Sequence, residues 1–593
     1  MSKDELPIYE FEDFRLDPEK YILSRAGETI PLTPKVFETL LLLVKHAGEV
    51  LKKDELLRAV WPDAIVEENN LNQNISALRR LLGENRGENR YIATVPGKGY
   101  RFIPSVRVPA EESTEKPGPV RIGVLPFEHI GADSEREYLA DGLTEETIAA
   151  LGQIDPERIS VIGRTSVMPY KRTPMSLAEI GKELDASYLV ESSLRGEGDR
   201  LRIIAKLIRV RDQLQIWSGA YDSGPGNMLA LQSELSRTIA EQVRLRLSPE
   251  RLRALARRQT RNSEAYNLYL HGRHFWQQLS PPTTRKAIEY FTKATDLDPD
   301  YALAWSGLAD CYSSSSVNGD APPQAVWPLA REAATRAVNA EPGLAEVQTS
   351  LGSLKFWLDW EWPAAEAAYR KAIQLDSSYP LGHRMLGVVL SHMCRHEEAQ
   401  VAIRHARELD PMYVMHQSLS SQIAFAARNY SEAVRFARQS LAIDPDFWIA
   451  RLHLAQVYVE LGQYDSAVAE LNHPGKFGVN SKVIALRGYA FARMGRVEAA
   501  TEALQALLFT SKERYVPPYA MALVYAGLEK YDLALEWLER CFDAHDVHVV
   551  FLTNDPKWDP IRGDVRFSGV LQRCGILCEV ALPWVVSGKA SAT

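Results

Sequence analysis

The hydrophobic pattern of residues 66–102 predicts a helix followed by a β-hairpin. The stretch reads VEENNLNQNISALRRLLGENRGENRYIATVPGKGYRF. In its first half, apolar residues recur with helical spacing and form one stripe, Leu71, Ile75, Leu78 and Leu82. In its second half, short apolar runs flank the turn Pro96-Gly97-Lys98-Gly99. The two glycines favour a tight turn that raises the lysine at the tip of the hairpin.

The polar face of the predicted helix carries amides, a hydroxyl and arginines rather than the usual mixture of charges. The residues opposite the stripe are Asn69, Gln73, Ser76 and Arg80, with Asn72 and Arg79 on the flanks. Amides can bond adenine edges, and arginines can bond guanine or phosphate. A polar helix followed by a basic hairpin can hold both a groove and the flanking phosphates of DNA.

The motifs ALRRLLG and YIATVPGKGYRF together resemble the C-terminal half of an OmpR/PhoB-type winged-helix DNA-binding domain of the CadC-like variety. Residues 8–32 resemble the small N-terminal sheet of that domain. Thr33 and Pro34 predict the start of a helix whose buried face is Phe37, Leu40, Leu41 and Val44. A second helix is predicted from Lys53 to Trp61. The resemblance implies an α+β winged helix over residues 1–106.

The resemblance also implies partners. Domains of this type commonly occupy tandem direct repeats of double-stranded DNA, which implies self-association on DNA. The loop Trp61–Val66 occupies the place where related activators touch RNA polymerase, although a plain helix connector is an equally good reading of this loop.

The chain differs from the family at positions that determine which bases are recognised. Ser76 and Ala77 stand where arginines are common, and Pro96 stands where a wing residue often reaches the minor groove. The DNA sequence that this chain recognises therefore cannot be inferred from its relatives. The residues predicted to face the groove are Asn72, Gln73, Ser76 and Arg80, and Asn69 on the same polar face is also predicted to contact DNA. Those predicted to contact the backbone or form the wing are Arg79, Thr94, Lys98 and Arg101, whereas Tyr100 and Phe102 are predicted to lie in the hairpin core.

Residues 107–120 read as a linker rich in proline, glutamate and serine. Residues 121–248 follow the order β-α-β-α-β-β-β-α, which predicts an α/β sandwich. The string VLPF…YLADGLTEE resembles the TolB-N-terminal-like (FlgO-like) module. Asp141, Glu145 and Glu146 read either as a carboxylate site or as the acid-rich start of a helix, and we favour the second interpretation.

Residues 249–545 repeat with a period of 34, and about eight units are predicted. Small residues recur in two registers: Gly387, Ser421, Ala455, Gly488 and Ala522, and Ala399, Ala433, Ala467, Ala500 and Ala534. This period indicates an all-α tetratricopeptide superhelix, in which the small residues allow close helix crossings. Such arrays bind a protein or peptide partner along the concave face. Residues 546–593 are predicted to form a capping helix and tail.

Net charge and composition bear on nucleic-acid binding and on the compartment in which the protein works. The net charge of −8 argues mildly against nucleic-acid binding by the whole chain, but between residues 79 and 101 six positive residues face only Glu84 and Glu88. The sequence shows no uninterrupted apolar run of 18 residues and no hydrophobic signal core, and its five cysteines have no framework spacing. We therefore expect a cytoplasmic bacterial protein.

The sequence predicts no catalytic site. His392, Cys394 and His396 are close together, but they fall at a turn between repeat helices, and we expect neither a metal nor a cofactor there. No phosphate loop, GxSxG or HExxH motif is present. Two functions remain open: a sequence-specific transcriptional regulator, or an interaction scaffold whose winged helix does not bind DNA.

Overall fold

The structure, a computed structural model, divides into two compact units, Met1–Gly118 and Pro119–Thr593. The residues that it describes are 9–18, 22–25, 28–30, 32–61, 66, 68–84, 88–107, 120–130, 137–154, 158–197, 200–223, 228–242, 260, 262–278, 280–317, 321–473 and 480–575.

The described residues of the first unit form two small sheets and three helices. A four-stranded antiparallel sheet consists of β1 (Tyr9–Phe11), β2 (Phe14–Asp17), β3 (Ile22–Arg25) and β4 (Glu28–Ile30). The helices are α1 (Pro34–Lys45), α2 (Lys53–Val60) and α3 (Glu68–Leu81). A second sheet has the order β5-β7-β6, from β5 (Val50–Lys52), β6 (Ile92–Val95) and β7 (Gly99–Phe102). This arrangement confirms the predicted winged helix.

The hydrophobic core of this unit joins the helices to both sheets. The predicted stripe of α3 is fully buried, as are Tyr100 and Phe102. On α1 the prediction was wrong in one position, because Leu41 is only half-buried and Leu43 is buried instead. The loop residues 62–65, which include most of the segment assigned to RNA polymerase, lie outside the described residues.

The middle region contains a mixed six-stranded sheet. Its strands are β8 (Val120–Val124), β9 (Glu128–Ile130), β10 (Ile159–Val161), β11 (Tyr188–Glu197), β12 (Arg200–Arg209) and β13 (Leu214–Ser223). The main order is β10-β8-β11-β12-β13, with parallel pairing up to β11 and antiparallel pairing beyond it. β9 also pairs with β11 in parallel, a short strand that the sequence pattern did not predict. The predicted mixture of strands and helices is confirmed.

Helices cover the two faces of this sheet. They are α4 (Glu137–Ile154), α5 (Arg164–Val167), α6 (Leu177–Glu183) and α7 (Met228–Gln242). Side chains alternate between two cores where β8 ends: Val124 packs with α4 and α7, whereas Leu125, directly after the strand, packs with α5 and α6. Such alternation is what a strand buried on both faces requires.

Eight helix pairs follow within the described residues. They are α8 (Ser263–Trp276) and α9 (Pro281–Leu297), α10 (Ala302–Val317) and α11 (Pro323–Ala340), α12 (Ala345–Leu354) and α13 (Trp362–Leu375), α14 (Pro380–His392) and α15 (His396–Leu409), α16 (Val414–Ala426) and α17 (Tyr430–Ile443), α18 (Trp448–Glu460) and α19 (Tyr464–Leu471), α20 (Ser481–Arg493) and α21 (Val497–Thr510), and α22 (Pro518–Gly527) and α23 (Tyr531–Asp543). A π-helical turn, Lys355–Asp359, extends α12.

The two registers of small residues mark the helix crossings, as predicted. A Cβ atom added to Gly387 would lie 3.1 Å from the carbonyl oxygen of Ala399. One repeat later the Ser421 hydroxyl donates a 2.7 Å hydrogen bond to the equivalent carbonyl, that of Ala433. A larger side chain in either register would push the two helices of a pair apart.

The three acidic residues Asp141, Glu145 and Glu146 of α4 all have partners. Their interpretation as the acid-rich start of a helix was wrong for Glu145 and Glu146. Glu145 and Glu146 lie beyond the second turn of α4, too far from its start for the helix dipole to act on them. Glu145 instead forms an ion pair with Arg273 of α8, and Glu146 accepts a 3.3 Å hydrogen bond from the Tyr269 hydroxyl. Asp141 pairs with Lys171 at 2.6 Å. The carboxylates therefore fasten the middle region internally and to the first repeat.

The segment after the last pair folds against the inner helices of the array. It contains two 3₁₀ helices, Val547–Thr553 and Pro556–Ile561, and α24 (Val565–Arg573). The Asn554 amide donates to the carbonyl of Ser391 in α14 at 2.9 Å, and Lys557 lies over the Phe425 ring of α16. The predicted cap thus contains only one α-helix within the described residues, and much of it lies inside the superhelix.

No helix among the described residues has both the length and the apolar character needed to span a membrane.

Candidate nucleic-acid interface

Helix α3 presents one polar face that is not used inside the domain. Asn69, Gln73, Ser76 and Arg80 are exposed. None of these four side chains forms a hydrogen bond or ion pair with another described residue. The helix is held in place by its buried stripe instead.

A second set of polar residues on α3 does bond within the domain. The Asn74 amide donates to the carbonyl of Lys35 at 3.1 Å and to the Thr39 hydroxyl at 3.0 Å. Asn72 accepts a 2.6 Å hydrogen bond from the hydroxyl of Tyr100 on β7. These bonds fix the rotation of α3 against α1 and against the hairpin.

Arg79 connects α3 to the first strand of the hairpin. Its guanidinium donates to the carbonyl of Ile92 at 2.7 Å and to the Thr94 hydroxyl at 2.9 Å. Its Nε lies 3.7 Å from Glu84, whose buried carboxylate accepts from the backbone N–H groups of Tyr91 and Ile92 at 3.1 and 3.2 Å. A network of this kind fixes the hairpin relative to the helix.

The hairpin turn depends on two glycines with positive φ. Gly97 has φ +70° and open space around its Cα, so only its backbone conformation favours glycine. Gly99 has φ +156°, and an added Cβ atom would lie 1.9 Å from the carbonyl oxygen of Leu51. The close pairing of β5 with β7 therefore requires glycine at position 99, and Lys98 between the two glycines is exposed.

The positive charges divide into free and paired groups. Arg80, Lys98 and Arg101 are exposed and form no ion pair with a described residue. Arg90 instead pairs with Glu12 at 2.7 Å, and the same carboxylate accepts from the Tyr91 hydroxyl at 2.6 Å. Burial, together with the hydrogen bond to Glu12, raises the pKa of Tyr91 to about 12. Helix α3 and the hairpin therefore carry three cations that are free to meet phosphate.

The structure places the nine predicted residues on α3 and the hairpin, in two groups. Six are exposed without an internal bond: Asn69, Gln73, Ser76, Arg80, Lys98 and Arg101. The other three, Asn72, Arg79 and Thr94, bond within the domain. Sequence reasoning missed Asn74 and Glu84, because a single polar residue carries no sign of which partner it meets across the fold.

Comparison with known families matches two parts of the chain. Residues 27–102 match the family described as transcriptional regulatory protein, C terminal. Residues 424–488 match a tetratricopeptide repeat family.

Known relatives match longer parts. The transcriptional regulator HilA of Salmonella typhimurium is 24% identical over 442 residues, which cover 73% of this chain and 70% of HilA. The transcriptional activator CadC of Escherichia coli is 35% identical over 111 residues, 18% of this chain and 22% of CadC. Putative adenylate cyclase 3 of Rhizobium meliloti is 28% identical over 298 residues, 50% of this chain and 44% of the relative. The solved DNA-binding domain of E. coli CadC is 35% identical and covers 17% of this chain and 97% of that domain, with a TM-score of 0.16.

These matches confirm two of the three resemblances. The chain carries an OmpR/PhoB-type transcriptional regulatory domain and C-terminal tetratricopeptide repeats. It is similar to the regulator HilA over most of its length and to the activator CadC over 111 residues. The likeness of the middle region to the TolB-like module stays a prediction.

Proposed function

We propose that this protein is a cytoplasmic, sequence-specific DNA-binding transcriptional regulator, in which α3 lies in the major groove and the β6–β7 hairpin contacts flanking phosphates. The observation that carries the proposal is the division of polar residues on α3. Asn72, Asn74 and Arg79 are bonded within the domain, whereas Asn69, Gln73, Ser76 and Arg80 are exposed on one face without internal partners. Amide and guanidinium groups presented together from a rigid helix suit base edges.

The nine residues have two roles in this proposal. Asn69, Gln73, Ser76 and Arg80 face the bases, and Lys98 and Arg101 contact phosphates. Asn72, Arg79 and Thr94 lie at the boundary between helix and hairpin, where their internal bonds hold the reading surface in shape while their remaining polar atoms stay available to the DNA backbone. Self-association on tandem sites and contact with RNA polymerase belong to the same proposal, through the relatedness to CadC and HilA.

A protein partner of the repeats would meet a restricted surface. Residues 547–561 pack along the inner helices of the array, where a peptide would otherwise lie. We therefore place the partner site on the outer surface of the array, where exposed apolar residues such as Val401, Val497 and Phe509 lie on second helices of the pairs.

The test is selection of DNA from a random library by the full chain, followed by titration of the selected site at several salt concentrations. Arg80→Met should weaken binding of the selected site by about 1–3 kcal/mol and reduce discrimination against mutated sites. Lys98→Met should lower the salt slope by about one and weaken all sequences alike. Lys45→Met, at the exposed end of α1, is the matched control.

Failure to select any site, or affinity that does not depend on salt, would overturn the proposal. It would favour the interaction scaffold instead, because association with a protein does not require the release of counterions from phosphates.

A further inference from the structure

The inner helices of the repeat array surround a cavity of about 500 Å³. Its wall is formed by the first helices of several pairs and by the C-terminal segment, with aromatic side chains such as Trp357, Phe447, Trp448 and Phe551. A volume of this size, with mostly apolar walls and a few polar groups, is typical of a site for a small molecule. A folded partner is far too large for it.

Helix α14 turns one face to this cavity. Leu381, Arg384, Met385, Val388 and His392 all line it, and their spacing of three and four residues is that of a single helical face. The face combines apolar side chains with one cation.

The guanidinium of Arg384 is buried, with 9% of the residue exposed, and has no acidic partner. Its Nε atom has no hydrogen-bond partner, and no described carboxylate lies within ion-pair distance. The guanidinium carbon lies 5.0 Å from the centroid of the Tyr413 ring. Buried arginines in proteins are normally paired, because an unpaired charge is costly to remove from water.

The acidic residues at the cavity do not supply the missing partner. Asp555 is bound to Lys557 at 2.8 Å, and Asp444 accepts from the backbone of Asp446. Asp310 also lines the cavity, and its pKa is raised to about 6 by burial although the charge of Arg384 lowers it, but these two described side chains form no ion pair. An anionic group of a ligand is left as the natural partner of Arg384.

We infer that this cavity binds an amphipathic small molecule with an apolar, preferably aromatic, body and one anionic group held by Arg384. The aromatic walls accommodate the body, and the planar guanidinium can form two parallel hydrogen bonds to a carboxylate or another oxyanion. This site is independent of the proposed function, since it lies wholly within the second compact unit.

The test uses two fluorescent probes that differ by one anionic group. 1-Anilinonaphthalene-8-sulfonate carries a sulfonate, and N-phenyl-1-naphthylamine has the same rings without it. Both are titrated into the full chain, and binding of both is expected. Arg384→Met should weaken the sulfonate probe about tenfold or more, and leave the neutral probe within about twofold, because the substitution removes the charge-assisted bonds and keeps the apolar volume.

Two control variants locate the effect. Arg404→Met, on the exposed side of α15, should change neither affinity. Val388→Trp, which fills the cavity beside Arg384, should weaken both probes if they bind there. If Arg384→Met loses its far-ultraviolet circular dichroism, Arg384→Lys replaces it, and a smaller loss confined to the sulfonate probe is expected since lysine keeps the charge but not the planar donors.

The inference is overturned if neither probe binds, if Val388→Trp leaves both affinities unchanged, or if removal of the guanidinium affects the two probes equally. DNA binding by the same variants is a separate readout, so failure of the cavity site and failure of the proposed regulator can be told apart.

Discussion

Asp410, which precedes a proline at the end of a repeat, accepts two hydrogen bonds from Ser166 of the middle region. The Ser166 backbone N–H donates at 2.8 Å and its hydroxyl at 2.5 Å to the same carboxylate oxygen. Next to it, the Gly163 N–H donates to the carbonyl of Leu409 at 2.7 Å. Asp410, a turn residue of the repeat pattern, therefore also accepts hydrogen bonds from Ser166 in α5.

Asp410→Ala should loosen this junction, and the equivalent change one repeat later should not. The substitution removes the acceptor shared by the Ser166 N–H and hydroxyl and leaves the N–H only its 3.2 Å bond to the Gly163 carbonyl, at a cost of roughly 1–3 kcal/mol. Asp444, 34 residues on, accepts only from the nearby Asp446 N–H at 3.0 Å, so Asp444→Ala is the matched control. Hydrogen exchange of the Ser166 amide measures the effect, and equal acceleration in both variants would contradict it.

Arg79→Met and Arg80→Met should separate a residue that positions the hairpin from one that contacts DNA. Arg79 is bonded to Ile92 and Thr94, so its loss should speed hydrogen exchange in β6 and weaken DNA binding. Arg80 is exposed, so its loss should leave exchange in β6 unchanged and lower the affinity directly. The prediction fails if the two variants show the same exchange pattern.

Gly99→Ala should destabilise the winged helix far more than Gly97→Ala. Both glycines have positive φ, so both substitutions add backbone strain of about 1–2 kcal/mol. At position 99 the new Cβ would also meet the Leu51 carbonyl at 1.9 Å, and β5 would have to separate from β7. We expect a total loss above roughly 3 kcal/mol in that variant, measured by thermal denaturation. Similar melting temperatures for the two variants would contradict the close approach.

Gly387→Ala and Gly569→Ala should change stability in opposite directions. Both glycines lie within helices, where alanine gains about 0.5–1 kcal/mol over glycine. Gly569 has open space around it, so this gain should appear. At Gly387 the added methyl group meets two backbone atoms at 3.1 and 3.3 Å, Ala399 O and Ile403 N, and the crossing must open. Urea denaturation measures both, and stabilisation by Gly387→Ala would show that the crossing tolerates a Cβ.

Glu460→Gln should stabilise the array at pH 8 and not at pH 5. Burial raises the pKa of Glu460 from 4.5 to about 7, against the opposing effect of Lys557. Because the folded pKa is raised, the neutral carboxyl stabilises the fold below pH 4.5, and this contribution is lost as the pH rises through 7. Glutamine keeps the neutral state at every pH, so its advantage should grow by roughly 1–3 kcal/mol between pH 5 and 8. Thermal denaturation across this range tests it, and a constant difference would contradict the raised pKa.

Elements that follow from a regular spacing of residues could be predicted from the sequence. Contacts between residues far apart in the sequence could not. The stripe on α3 and the alanines at the helix crossings follow from a spacing of three, four or 34 residues, and the structure buries them as expected. Glu84 is a single acid after a helix, and only the fold brings the N–H groups of Tyr91 and Ile92 to its carboxylate. Glu145 was read from its local helix, whereas its partner Arg273 is 128 residues away.

The packing of the segment after the repeats also depends on residues that are distant in sequence, and it could not be predicted. Residues 547–561 have neither the period of a repeat nor the pattern of a long helix, so the sequence places them only as a cap. Their packing against α14 and α16 depends on the curvature of the whole array, which no local pattern specifies.

The position of that segment also has a consequence for biosynthesis. Each helix pair contacts its neighbours and can form as it leaves the ribosome, but Phe551 and Asn554 reach the inner helices only after all eight pairs have been made. The inner surface of the nascent array is therefore open to water and to other proteins during translation. Residues 547–561 cover part of it once they are added, so a ribosome stalled shortly before residue 547 would display an apolar surface that these residues cover in the finished protein.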